Sequence, residues 1–290
     1  MINIQDRNKG IILILLSSLS FALMAATVKF LGDMPIPEKI FFRNLLGASV
    51  VFYIIKKRGK SFKVNNKKFM ALRLLTGVLG MTSYYYALSK IHLSDAVILH
   101  KMAPFFVIIF AAVFLGEKIK KPQYIALVLA IAGAVFVIKP RFDSSVIPSL
   151  VAFASALFSG VSYTVIRYLK NSDSPQVIVF YFLTFLVIVM FPFMLAGYFV
   201  MPTPTQWVAL FFLGVFGTAG QLLMTNAYHF APAGELSIYT YSNIVFSTLI
   251  GLIIWTEIPD YLSIIGGALI IIAGIINYRA KDNLEKQGAV

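Results

Sequence analysis

The chain contains no cysteine, which excludes disulfides, thiolate catalysis and cysteine-ligated metal sites. Charge is also scarce. Only 13% of the 290 residues are Asp, Glu, Lys or Arg, against roughly 25% in an ordinary soluble domain. Histidine occurs three times, at 92, 100 and 229, without metal-ligand spacing, so no metal or cofactor is expected. There is no Gly-rich phosphate loop ending in Gly-Lys-Ser/Thr, which argues against ATP hydrolysis by this chain. Gly-x-Ser-x-Gly, His-Glu-x-x-His and paired intramembrane aspartates are all missing, so an intramembrane enzyme has no motif to support it. No polar stretch is long enough for a soluble domain.

What remains is apolar: 59% of residues are hydrophobic, a composition that lipid accepts and water does not. Apolar runs fall at 10–31, 38–55, 69–89, 95–116, 122–139, 146–168, 176–199, 206–229, 235–255 and 260–278. Each approaches the roughly 20 residues that a spanning helix needs. The sequence therefore predicts an all-α membrane protein of ten transmembrane helices. Met1–Lys9 is short and polar and leads into a run long enough to span, so it reads as the start of the first helix and not as a removed signal peptide.

The net charge of +13 would suit a nucleic-acid partner if it lay on one soluble face. Instead the basic residues cluster at the ends of the runs. One set of alternate junctions carries Arg7, Lys9, the seven from Lys56 to Lys68, Lys118, Lys120, Lys121, Arg167, Lys170, Arg279, Lys281 and Lys286; the other carries only Lys39, Lys90, Lys139 and Arg141. Such a bias predicts a multi-pass protein of the cytoplasmic membrane with both termini cytoplasmic, and no nucleic-acid partner.

The chain also repeats itself. A shift of 140 lays Gly77 on Gly217, Gly80 on Gly220, Asp95 on Glu235, Lys101 on Tyr241 and Glu117 on Glu257. A shift of 138 lays Lys29 on Arg167, Pro37 on Pro175 and Phe42 on Phe180, and Ile131-Ala132-Gly133 falls on Ile272-Ala273-Gly274. The boundaries expected are 10–140 and 146–279. Five helices per repeat is odd, so the halves are expected to be inverted, an arrangement that places substrate sites near the bilayer midplane.

Leu115-Gly116-Glu117-Lys118 with Ile131-Ala132-Gly133, and Trp255-Thr256-Glu257 with Ile272-Ala273-Gly274, resemble the drug/metabolite transporter superfamily, its EamA-type branch most closely. Leu93-Ser94-Asp95-Ala96 and Ala103-Pro104 fit the same pattern; Asn243-Ile244 stands where the second half would repeat Ala-Pro. The resemblance covers nearly the whole chain and implies a transporter, for amino acids, nucleotide-type metabolites, organic cations or other solutes.

Polar residues inside the runs are the candidates for substrate contact. Lys101 lies about six residues, roughly 9 Å, into the fourth run. Such a charge costs about 2.5–3.5 kcal/mol unless compensated. Binding an anionic group, snorkelling to the interface and pairing with Asp95 are all open to it. His100 and Arg43 are its companions in a positive pocket. Tyr84, one of three consecutive tyrosines, Gln221 with Thr225 and Tyr228 at helical spacing, and Tyr239, Tyr241 and Asn243 are the polar residues expected at a cavity, interhelical bonding being the competing role. Asp95 and Glu235 begin the fourth and ninth runs, where capping and proton coupling are both open.

The reading that follows is a secondary transporter of a small polar or amphipathic metabolite, an organic anion or zwitterion such as an amino acid, working by alternating access as a monomer or homodimer. Export of drug-like or aromatic cations is the alternative. A membrane scaffold or intramembrane enzyme would belong to another class.

Overall fold

The structure is a computed structural model that describes residues 4–116, 118–140, 144–169, 172–230 and 236–286. Its helices run in the order α1 (Ile4–Phe30), α2 (Ile36–Lys57), α3 (Lys67–Lys90), α4 (Leu93–His100), α5 (Ala103–Leu115), α6 (Lys121–Ile138), α7 (Ile147–Leu169), α8 (Pro175–Phe193), α9 (Pro204–Phe230), α10 (Ser242–Trp255) and α11 (Tyr261–Lys286). Several prolines start helices. Pro37, Pro104, Pro122 and Pro175 occupy first turns, where a missing N–H forfeits no helical bond. Gly116 and Thr256, matched by the 140-residue shift, end α5 and α10 in the left-handed conformation, at φ +69 and +54.

Among the described residues the structure is wholly helical, with eight helical segments long and apolar enough to cross a membrane. α2 and α3 have the length but not the apolarity. Glu38, Lys39 and Arg43 charge the first, while Arg73 and the three tyrosines dilute the second. The outer surface is apolar, with Ile253 77% and Leu195 74% exposed, as contact with acyl chains requires.

Two expectations need correction. The fourth run is not one helix: it breaks at Lys101–Met102 between α4 and α5. Pro104 has no N–H to give the carbonyl of His100, so the ladder cannot pass. The ninth run likewise opens as a 3₁₀ turn, Ser237–Tyr241, before α10. Lys39, counted above among junction charges, is fully buried in α2. Its ammonium donates to Val28 O at 3.1 Å, Gly32 O at 2.7 Å and Ser89 Oγ at 3.2 Å, capping the carbonyls at the end of α1.

Packing follows a symmetric scheme. α1 lies on α9 as α7 lies on α3; α2 pairs with α8 and α6 with α11. Exchanging the segments before and after residue 140 maps these pairings onto one another. The repeated glycines make the close contacts: a Cβ at Gly80 would press on Ser159 of α7, and one at Gly220 on Phe21 of α1. Residues 21 and 159 are themselves 138 apart. At the crossing of α6 and α11, Gly133 and Gly266 face each other so closely that a Cβ on either would meet the other's carbonyl.

Candidate functional site

The α4–α5 break packs against α3 and α7. Lys101 caps α4, its N–H donating to Val97 O at 3.0 Å, and Met102 N–H donates to Leu99 O at 3.1 Å. The Lys101 side chain is half-buried and makes no hydrogen bond or ion pair among the described residues. Its neighbour His100 stacks on Tyr84 of α3, ring centroids 4.1 Å apart and planes at 20°. The ring nitrogen Nδ1 lies 2.9 Å from Ser155 Oγ on α7, while that hydroxyl donates to Ala152 O at 2.6 Å. A serine has one proton to give, so this network makes His100 Nδ1 the donor and leaves Nε2 as an acceptor.

Asp95 does not reach Lys101. Its Oδ2 is 4.0 Å from Lys139 Nζ, in a cluster where that ammonium also meets Asp260 at 2.7 Å and Ser263 Oγ at 2.9 Å. The hydrogen bond from Lys139 holds the Asp260 carboxyl below the usual carboxylate range. The other oxygen of Asp95 is buried without a donor. At the same end of the bundle Lys29 pairs with Glu257, whose Oε2 accepts the first N–H of α4 at 2.9 Å, from Leu93. Both clusters join the first half of the chain to the second.

Arg43 is 7% exposed and donates to Asn44 Oδ1 at 2.7 Å, its side chain laid against Gly217 of α9. It lies within electrostatic reach of Tyr85; no hydrogen bond or ion pair joins it to Lys101 among the described residues. In the second half, Tyr241 packs its ring on Gly274 of α11, and Asn243 Nδ2 donates to Ser18 O of α1 at 2.9 Å. Tyr239 is half-buried beside Ile14, Ala227 and Leu236. Gln221 is half-buried in α9, its carbonyl accepting the Thr225 hydroxyl at 2.8 Å. The structure thus brings His100 and Tyr84 together, with Lys101 the next residue at the break, and sets the second-half candidates elsewhere in the bundle. Glu235, Glu117 and the side chain of Tyr228 lie outside what is described.

Sequence reasoning missed Arg73 and Tyr163. The Arg73 guanidinium stacks on Phe182 at 3.8 Å and donates to Ser162 Oγ at 2.6 Å; Tyr163, 47% exposed, lies within its electrostatic reach. The signal was available: with Lys29, Arg43 and Lys101, Arg73 is one of four basic residues that no junction holds.

Comparisons with known proteins agree on what such a bundle is for. The pseudopaline exporter of Pseudomonas aeruginosa is 34% identical over 274 residues, covering 94% of this chain and 96% of that one. An S-adenosylmethionine uptake transporter of Rickettsia bellii is 28% identical, with 96% of each chain covered. Human solute carrier family 35 member G1 is 26% identical over 91% of this chain and 77% of its own length. A solved crystal structure, 19% identical, superposes with a TM-score of 0.68 over 97% of this chain and 99% of that one, a likeness of fold. The model of the EamA-like transporter family matches twice, at residues 8–139 and 146–279. The chain is a multi-pass membrane transporter of small metabolites and belongs to the EamA-like transporter family of the drug/metabolite transporter type.

Proposed function

We propose that this chain is a secondary transporter that carries a small organic anion or zwitterion, amino acids among them, by alternating access. Lys101 carries the reading. A lysine inside a spanning segment needs compensation worth about 2.5–3.5 kcal/mol, and this one has no carboxylate partner among the described residues. It stands at a helix break, beside the His100–Tyr84 stack. Broken helices at the middle of a bundle are where transporters hold substrate charge. The anionic group of the substrate is the missing counter-charge, with the Tyr84 hydroxyl to donate to it and Arg43 adding positive potential, while His100 Nε2, an acceptor, suits the ammonium of a zwitterion. Gln221, Tyr239, Tyr241 and Asn243 are the second half's polar residues, brought toward the substrate in this reading only as the halves rearrange.

Ten crossings, with α2 and α3 among them, give two five-helix halves at 10–140 and 146–279. An odd number of crossings makes the halves antiparallel in the membrane. The double family match and the exchange-symmetric pairing of helices both support that duplication. Both termini face the cytoplasm of a bacterial cell, placing the basic junctions on the inner side. Asp95, with one buried oxygen lacking a donor, is the proton-coupling candidate.

Thermal-shift screening of the purified protein against metabolites, followed by liposome uptake of each stabilising compound, tests the reading. Lys101→Gln is expected to lower uptake of a carboxylate substrate at least tenfold, about 1.4 kcal/mol of lost interaction. Uptake of organic cations that persists or improves in the variant, with no carboxylate carried by the native protein, contradicts the proposal and favours cation export. Uptake that follows an imposed pH gradient identifies proton coupling.

A further inference from the structure

Arg43 and Arg73 share one condition: each is 7% exposed, donates to a single side chain and keeps a buried Nε without an acceptor. Arg73 is the one carried by the helix that also carries Tyr84. Lys39 has three acceptors, Lys29 has Glu257, and Lys139 has Asp260. Arg73 is 7% exposed and has only the Ser162 hydroxyl; its Nε is buried without an acceptor. A guanidinium offers five N–H donors. Here one is used, one face is covered by Phe182, and no carboxylate answers the charge among the described residues. Burying a cation in this way is unfavourable unless something else supplies the counter-charge.

Glycine 77 determines where the guanidinium sits. A Cβ there would collide with Arg73 Nη1 and with the Phe182 ring, so its absence lets the side chain run one turn along α3 to the level of residue 77. Tyr84 stands two turns further on the same face, about 10 Å away at ~1.5 Å per residue. On the facing helix α7, Ser162 and Ser155 are seven residues apart as well. The α3–α7 wall therefore carries two rungs: Tyr84, His100 and Ser155 beside Lys101, and Arg73, Ser162 and Phe182 beside the exposed ring of Tyr163.

Resting on the anion reading of Lys101, we infer that Arg73 is a second anion-binding residue of the same pathway, and that the preferred substrates carry two anionic groups separated by about 10 Å. One group meets Lys101; the other takes the free edge of the Arg73 guanidinium.

The test is a thermal-shift and uptake-inhibition series on the full-length protein, using straight-chain monocarboxylates and α,ω-dicarboxylates of increasing length. In the native protein, dicarboxylates long enough to reach both rungs are expected to bind about tenfold tighter than monocarboxylates of equal length, with a length optimum. Arg73→Gln should erase that gain while leaving monocarboxylates unchanged, which also reports a folded protein. Arg73→Lys should restore part of it, and Gly77→Ala, which keeps the charge but displaces it, should weaken or shift the optimum. An unchanged optimum in Arg73→Gln, or an equal loss of both ligand classes, overturns the inference. If Lys101→Gln removes both classes while Arg73→Gln leaves the series intact, the anion reading stands and the second site falls. If no carboxylate binds the native protein, both fall.

Discussion

Lys39 and Lys101 both lie inside the bundle, and their surroundings separate packing from binding. The ammonium of Lys39 finishes helix α1, with three oxygens around it. Lys101 and Arg73 have places in the fold but no counter-charge among the described residues. The backbone offers a second contrast, at the paired caps Gly116 and Thr256. Both adopt positive φ, which glycine accepts freely and a β-branched residue resists by roughly 1–2 kcal/mol. Thr256→Gly is therefore expected to raise stability by about 1 kcal/mol, less whatever its hydroxyl bond to Trp255 O contributes, and Gly116→Thr to lower it similarly. Thermal unfolding of the two variants in detergent checks the pair; destabilisation by Thr256→Gly contradicts the assignment of strain.

Helices were the most legible feature of the sequence, because length and apolarity are all that a membrane demands of a span. The breaks were not legible. Hydropathy is averaged over a run and does not register one missing bond, so only Pro104 hinted at the interruption beside Lys101. Arg73 was visible as a charge inside a run, but nothing in the sequence showed its side chain running along α3 past Gly77. The links between elements carry structure too. The segment between α2 and α3 is fastened to the start of α8 by Asp173, which accepts N–H bonds from Asn65 at 2.7 Å and Asn66 at 3.3 Å and a hydroxyl bond from Ser172 at 2.6 Å. Burial pushes this carboxyl up, but those donors together outweigh it and hold it below the usual range. A depressed carboxylate contributes stability above its unfolded value near ~3.9 and loses it as pH falls through the folded value. The fastening should thus hold at neutral pH and fail below about pH 4. Asp173→Asn should lower stability at pH 7 by about 1–3 kcal/mol and flatten the acid limb of a stability profile; an unaltered acid limb would show that the contact is idle.

At the scale of the molecule, the packing scheme exchanges the two segments of the chain, and the close contacts at Gly80–Ser159 and Gly220–Phe21 are the same contact made twice. Close helix contacts at these glycines were readable from their spacing, because helices can approach closely only where a side chain is absent. The site was readable only in part. His100 stacks on Tyr84 next to Lys101, while Tyr241 and Asn243 spend their polar groups or rings on α11 and α1. Polarity within a run does not reveal which neighbour will satisfy it. In the account proposed here, a cation at the α4–α5 break answers the negative charge of the cargo. The absence of native cysteine allows a direct measurement: uptake of a carboxylate substrate by Lys101→Cys in liposomes, before and after treatment with charged thiosulfonate reagents. The variant should be nearly inactive, an aminoethyl reagent that restores a lysine-like ammonium should recover uptake, and a sulfonate reagent should not. Recovery by both reagents, or full activity before either, would contradict the account.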